Sequence, residues 1–293
     1  MKLRDVSEFL NDLYGQWNED KVPQLGAALA YYSVFSLAPL VILAIGIAGL
    51  MFNEQTARSG IVSEIHETVG DPAAGAIEKL ITQPSRTGDN SLAAIVGLIV
   101  FLFGASGVFV QLQDSLNTIW KVTPRPGRAV WDVIRDRIIA FAIVMGTGFL
   151  VVLSLVVSAA LAVLGEWVTT TALPGGVRVW QYAHAGISFA LVTVLFALVF
   201  KLLPDARIAW RDVWMGAAVT ALLFTLGKYL LGLYLGKSGL TSAFGAAGSF
   251  VLILVWVYYS TQILLLGAVF TRVCATRRGC QIVPADNAMH MPR

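Results

Sequence analysis

The sequence predicts an all-α fold, a polytopic membrane bundle of six transmembrane helices with short amphipathic helices at its interfaces. Two observations carry this prediction. Six long, mainly apolar stretches interrupt the chain, and each reaches the roughly 20 residues that a helix needs to cross a bilayer. Only 13% of the 293 residues are charged, whereas soluble domains carry about 25%. The six predicted spans are residues 25–52, 91–111, 138–164, 183–203, 214–235 and 248–272.

The distribution of basic residues predicts that both termini are cytoplasmic. With the N-terminus inside, the cytoplasmic segments hold 15 of the 21 Lys and Arg residues, and the outer segments hold 5. Cytoplasmic loops carry such an excess. The first apolar stretch lacks a cleavage pattern, so we expect a spanning helix and no cleavable signal. Cys274 and Cys280 fall on the cytoplasmic side, where thiols stay reduced.

The flanking segments complete the predicted domain organisation. Residues 1–20 place apolar side chains at helical spacing and predict an amphipathic helix, either on the cytoplasmic membrane surface or packed against cytoplasmic loops. Residues 21–275 form the six-helix domain, in which the outer loop 53–90 predicts two short helices. Residues 276–293 form a polar cytoplasmic tail, which we expect to be disordered from Gln281.

Lys228 is the full charge that lies well inside a predicted span, while no Asp or Glu lies inside any of the six. An ionisable residue at membrane depth suggests a functional site. In that case Lys228 would bind an external anion such as a lipid phosphate. The alternative is that its side chain snorkels to the outer interface, about 10 Å away.

Neutral polar residues form the other candidate ligand-binding site. Several lie on the inner halves of the first, second and sixth spans, and Pro39 predicts a bend in the first. Their spacing favours one polar layer that contacts a ligand, or hydrogen bonds between helices. With Lys228, the candidate ligand-binding residues are Tyr32, Ser36, Pro39, Ser106, Asn117, Tyr258 and Gln262.

Other motifs give no support for catalysis. His66, His184 and His290 are scattered, and the sequence has no metal-ligand spacing, phosphate-binding loop or nucleophile elbow. We therefore predict no catalytic residue, no metal and no cofactor. Small residues such as Gly107 and the Gly232/Gly236 pair predict close helix packing, or a contact in a homodimer.

Several of these segments resemble the YihY/BrkB family of bacterial inner-membrane proteins over residues 20–275. Residues 26–40 read GAALAYYSVFSLAPL, residues 116–120 read LNTIW, residues 203–205 read LPD, and residues 256–258 and 266–268 read WVY and LGA. Two positions depart from the pattern: Phe244 stands where members often have Tyr, and Val269 where many have Glu. The family was once labelled ribonuclease BN and virulence factor. The resemblance implies a six-helix inner-membrane protein linked to envelope integrity and to lipid or lipopolysaccharide handling.

These observations lead to a non-enzymatic, multi-pass protein of the bacterial inner membrane that binds or translocates an amphiphile, a lipid above all. The expected partners are membrane lipids, with envelope proteins and a second copy of the chain as further candidates and no nucleic acid. A structural or assembly factor for envelope complexes is the alternative, and a membrane-bound hydrolase or ribonuclease is the third interpretation.

Overall fold

The computed structural model describes residues 3–33, 59–60, 62–63, 107–125, 176–237, 248–280 and 282–291. These residues are mostly helical. The helices are α1 (Leu3–Glu19), α2 (22–33), α3 (107–120), α4 (Gly176–Leu202), α5 (Trp210–Lys237) and α6 (Gly248–Arg277). The short strands are β1 (Val122–Pro124), β2 (Ala206–Arg207), β3 (Val283–Pro284) and β4 (Ala288–His290).

Three described helices are long and apolar enough to cross a membrane: Ala185–Leu202, Trp210–Leu230 and Val251–Arg277. They coincide with the fourth, fifth and sixth predicted spans. The third predicted span lies outside the described residues. The first and second are described only in part, through α2 and the start of α3, and both parts are helical.

The ends of these helices follow from local sequence. Helix α4 ends at Leu202, because Pro204 disfavours helical backbone at the residue before it. Helix α6 ends at Arg277, where Gly279 adopts a φ of 74°. This left-handed turn lets the N–H of Cys280 reach the carbonyl of Ala275 at 3.0 Å and closes the helix.

Helices α5 and α6 pack by a reciprocal exchange of glycine and threonine. A Cβ atom added at Gly216 would lie 1.7 Å from Thr271 Oγ1, and one added at Gly267 would lie 1.8 Å from Thr220 Oγ1. Each hydroxyl donates to the glycine carbonyl four residues earlier in its own helix, at 2.7 Å. The two backbones therefore approach closely, as small residues permit in membranes.

Helix α1 packs against the C-terminal end of α6. The rings of Phe9 and Phe270 meet edge to face at 5.4 Å, and Arg277 pairs with Asp12 at 2.6 Å. Phe9, Leu13 and Trp17 also contact the buried core, while Leu10 and Tyr14 are exposed. One apolar side of α1 therefore packs against the protein, and the side that carries Leu10 and Tyr14 is exposed.

The C-terminal tail is ordered over residues 282–291, so the expectation of disorder from Gln281 onward is wrong for this part. Strand β4 pairs with β1, in the register Val122 with His290, and β3 pairs with β2. The ladders consist of main-chain hydrogen bonds, which leave no side-chain pattern for sequence reasoning to detect.

Candidate functional site

A buried carboxylate, Asp205, organises the junction between α3 and the α4–α5 link. The side chains of Asn117, Gln113 and Asn287 donate to its oxygens at 2.9, 3.3 and 3.3 Å. In return, the main-chain N–H of Asp205 donates to Asn117 Oδ1 at 2.8 Å. We call Gln113, Asn117, Asp205 and Asn287 the Asp205 network.

The local sequence explains this geometry. Gln113 and Asn117 are four residues apart in α3 and therefore lie on one face. Leu203-Pro204 ends α4 and places Asp205 directly after it. Both the acceptor and a donor of the Asn117 amide are used by Asp205, so in this structure Asn117 joins the C-terminal part of α3 to the α4–α5 link.

A second carboxylate, Asp20, joins three further segments. Lys121 and Arg272 both contact it, Arg272 at 3.1 Å, and Glu19 binds Lys121 at 3.0 Å. The Asp20 side chain has no exposed surface. Lys21 and Lys121 adopt φ values of 51° and 55°, which turn the chain at the ends of α1 and α3. We call Glu19, Asp20, Lys121 and Arg272 the Asp20 network.

Burial and charge shift the pKa values in the Asp20 network. Burial raises the pKa of Asp20, against the opposing effect of Lys121 and Arg272. Burial lowers the pKa of Lys121, but its hydrogen bonds to Asp20 and Glu19 outweigh this effect and leave the pKa above its ordinary value. The hydrogen bond from Lys121 holds the pKa of Glu19 below its usual range. Both cations, Lys121 and Arg272, therefore stabilise the charged form of the buried Asp20 carboxylate.

Polar residues of α6 face the start of α2 further into the bundle. Thr261 Oγ1 donates to the carbonyl of Gly26 at 3.2 Å, and Gln262 Nε2 lies 3.5 Å from the carbonyl of Pro23. A Cβ atom added at Gly26 would lie 2.1 Å from Gln262 Nε2. Glycine therefore creates the space that the Gln262 amide fills, and part-exposed Tyr258 lies one turn further out.

The side-chain carbonyl oxygen of Gln262 is buried and has no hydrogen-bond partner among the described residues. Leaving such an acceptor unsatisfied costs about 1–3 kcal/mol. The oxygen can accept a hydrogen bond from a hydroxyl, an amine or a water molecule. Gln262 thus combines, within the described part of the chain, a predicted site residue with a buried acceptor that a ligand could satisfy.

Lys228 lies on the exposed side of α5, level with the middle of α6. The preceding residue, Gly227, lies against α6, since a Cβ atom added there would lie 2.4 Å from Tyr259 Oη. Lys228 is partly exposed and its Nζ lies 5.8 Å from the Tyr229 ring centroid. Its neighbours Leu226, Tyr229 and Leu230 are 53%, 67% and 65% exposed. A cation therefore lies on an apolar and aromatic surface.

Tyr32 is a further predicted site residue that the structure describes, and it lies in α2. Tyr32 packs on Gly107, where an added Cβ would lie 3.0 Å from its ring, and is still part-exposed. Its ring meets Tyr31 edge to face at 5.7 Å. Ser36, Pro39 and Ser106 lie outside the described residues.

The candidate residues thus fall into separate groups. Among the described candidates, Gln262 lies near the start of α2, Tyr258 lies one turn earlier in α6, Asn117 lies in the Asp205 network, and Lys228 lies on α5. Sequence reasoning missed the central roles of Asp20 and Asp205. The segments LNTIW and LPD were recognised as part of a family pattern, but neither pattern showed that their polar residues bind each other.

Among the described residues, no group of three or more His, Cys, Asp and Glu side chains could hold a metal ion. The acidic residues of both networks are instead engaged by amides, Lys and Arg. The described geometry thus offers hydrogen bonding and charge pairing as its chemistry.

These features define a class: a helical membrane protein with interlocked apolar helices and polar networks at one end. Comparison then shows the family. The family described as Virulence factor BrkB matches residues 13–291, and the chain belongs to it.

Similar proteins carry the name UPF0761 membrane protein. One from Pseudomonas aeruginosa is 27% identical over 267 residues, covering 90% of this chain and 62% of the relative. One from Albidiferax ferrireducens is 26% identical, covering 91% and 63%. One from Mannheimia succiniciproducens is 25% identical, covering 90% and 88%. The chain thus spans less than two thirds of the length of the first two relatives. No solved structure matches.

Proposed function

We propose that the protein is a non-enzymatic protein of the bacterial inner membrane that binds or translocates an amphiphile, specifically a phospholipid. The observation that carries the proposal is the setting of Lys228, a cation among exposed Leu226, Tyr229 and Leu230 on a membrane helix. A charged side chain at membrane depth costs a few kcal/mol to keep away from bulk water. A lipid phosphate would neutralise Lys228 while the acyl chains cover its apolar neighbours.

The proposal includes six spans with both termini in the cytoplasm. Support comes from one end of the described structure, where α3, α4 and α6 end and α5 begins. Basic residues gather there, among them Lys121, Arg207 and Arg272, which is typical of the cytoplasmic side.

The unsatisfied oxygen of Gln262 agrees with an amphiphilic ligand. A lipid carries hydroxyl or amine donors as well as phosphate, so its headgroup region would satisfy such an acceptor. This second contact concerns α2 and α6 and does not involve Lys228.

Native mass spectrometry of the purified protein tests the proposal. Lys228→Met is expected to lose bound anionic lipid, because the cation is removed. Lys228→Arg is expected to retain it, because guanidinium also binds phosphate. Thr225→Val is the matched control in the same helix, since the Thr225 hydroxyl donates to the Ala221 carbonyl. Equal retention of anionic lipid in all four proteins would exclude Lys228 as the lipid site.

A structural or assembly role is the second candidate, and the packing of α5 favours it. The helix is interlocked with α6 on one side and exposes Leu222, Leu226 and Leu230 at intervals of four residues on another. Leu226→Trp separates the two candidates. Fluid lipid accommodates the larger side chain, whereas a packed protein interface does not. Loss of a copurifying protein or of a dimer in Leu226→Trp would support the assembly role.

A hydrolase or ribonuclease function is the third and disfavoured candidate. Metal-dependent RNA cleavage needs clustered ligands for the ion, and the three histidines are scattered in the sequence. Purified protein is therefore expected not to cleave RNA. Cleavage that His66→Ala abolishes would establish this candidate instead.

A further inference from the structure

Residues 282–291 connect the two polar networks at the inner end of the bundle. The N–H of Met291 donates to the carbonyl of Lys121 at 2.9 Å, beside the Asp20 network. The N–H of Ala285 donates to the carbonyl of Asp205 at 2.9 Å, and the Asn287 amide binds the carboxylate of the same residue. One short segment therefore contacts the end of α3 and the α4–α5 link together.

We propose that these ten residues form a releasable strap on the cytoplasmic face, which opens as one unit while α5 and α6 stay packed. The inference does not depend on lipid binding, so the two can fail independently. We call residues 282–291 the C-terminal strap.

The contacts of the strap explain why it would open first. Its ladders are three and two residues long. Ala288 is buried, whereas Val283 and Met289 are exposed. Segments with few buried apolar contacts and exposed backbone bonds open locally at low cost. The threonines that interlock α5 and α6, Thr220 and Thr271, are by contrast fully buried, so we expect these two helices to open at a higher cost.

The contacts also explain why the strap would open as one unit. Asn287 stands between β3 and β4, and its side chain binds Asp205 while its carbonyl accepts from the N–H of Arg125 at 3.1 Å. If the β1–β4 ladder opens, Asn287 loses its bond to Arg125, and if the β2–β3 ladder opens, it loses its bond to Asp205. Either loss removes a contact that positions Asn287 for the remaining bond. Beyond α6, Gly279 with its positive φ provides the turn from which the strap leaves the helix.

Hydrogen exchange of the full-length protein in lipid nanodiscs, read by mass spectrometry, tests the strap without any substitution. We expect the hydrogen-bonded amides of Ala285, Ala288, Met291 and Arg125 to exchange at one common rate once each is corrected for its intrinsic rate. That rate should be at least tenfold faster than the rate in α5 and α6 around Thr220 and Thr271. Exchange of the strap only at the rate of α5 and α6 would overturn the proposal, because it would then open only on global unfolding.

Asn287→Leu and Asp286→Asn form a matched pair of neighbouring substitutions. Asn287→Leu removes the bond to buried Asp205 and should accelerate exchange in both ladders at least fivefold. Asp286→Asn removes an exposed ion pair with Arg207 and should change it less than twofold. Equal effects of the two variants would contradict the central role of Asn287.

A disulfide between positions 122 and 290 tests the coupling of the two ladders. The bonds that flank this pair make it a non-hydrogen-bonded pair, with Cα atoms about 4.5 Å apart, within disulfide range. In a Cys274→Ser, Cys280→Ser background, Val122→Cys with His290→Cys should slow exchange in β2–β3 as well as in β1–β4. Slowing confined to β1–β4 would show two independent ladders and refute a single strap.

Discussion

Replacing Arg272 by methionine removes one of the two cations that contact the buried carboxylate of Asp20. Removing one partner of a buried ion pair costs about 3–5 kcal/mol. Arg272 is 16% exposed and Lys121 still pairs with Asp20, so we expect about 2–3 kcal/mol. At about 2–4 °C per kcal/mol, the Tm should fall by roughly 4–12 °C.

Thermal unfolding in detergent, followed by tryptophan fluorescence, measures this loss for Arg272→Met, Asp20→Asn and the double variant. The double variant should lose less than the sum of the single losses, because the two side chains interact directly. Arg207→Met is the control. Its partner is Asp286, and the two side chains are 61% and 91% exposed, so its effect should stay within about 1 kcal/mol.

Additive losses from Arg272→Met and Asp20→Asn, within about 0.5 kcal/mol, would show that the two side chains do not stabilise each other. So would an Arg272→Met variant no less stable than Arg207→Met. Either result would mean that water or another cation compensates Asp20.

Three further predictions concern packing, pH and topology. Gly267→Ala should destabilise the protein by about 1–3 kcal/mol through its clash with Thr220, and Thr220→Ala should restore most of that loss in a thermal melt. The pKa of Lys121 is raised above its ordinary 10.5 in the folded protein, so its pairing stabilises the fold below that pH and is lost as pH rises through the folded pKa. Melts between about pH 9 and 12 should show this loss in the wild type but not in Lys121→Arg, which keeps its charge. Reporter fusions at Gly88 and Gln281 should report the outside and the inside respectively, and the same location for both would exclude the six-span topology.

Apolar stretches, proline and helical spacing of apolar residues predicted the helical part of the described fold. Helices α4, α5 and α6 were predictable because each apolar stretch by itself reaches membrane length. The end of α4 was predictable because Pro204 acts on its immediate neighbours. The helix in residues 3–19 was also predicted, since apolar side chains recur there at helical spacing.

The polar networks were not predictable in this way, because their partners are distant in sequence. Asp20 and Arg272 are 252 positions apart, and Asn117 and Asp205 are 88 apart, so no local pattern relates them. The strap was missed for another reason. Its bonds to the carbonyls of Lys121 and Asp205 use main-chain N–H groups, which every residue except proline carries, and its side-chain bond from Asn287 reaches Asp205 across 82 positions.

The glycine–threonine exchange between α5 and α6 also limits how this protein can change shape. Because Gly216 faces Thr271 and Thr220 faces Gly267, sliding one helix past the other by a single residue would drive a methyl group into a neighbouring backbone. In lipid, no hydrophobic gain compensates for such a collision. Helices α5 and α6 should therefore move as one rigid body. Any conformational change of the bundle then has to occur at the contacts that this pair makes with the rest of the chain.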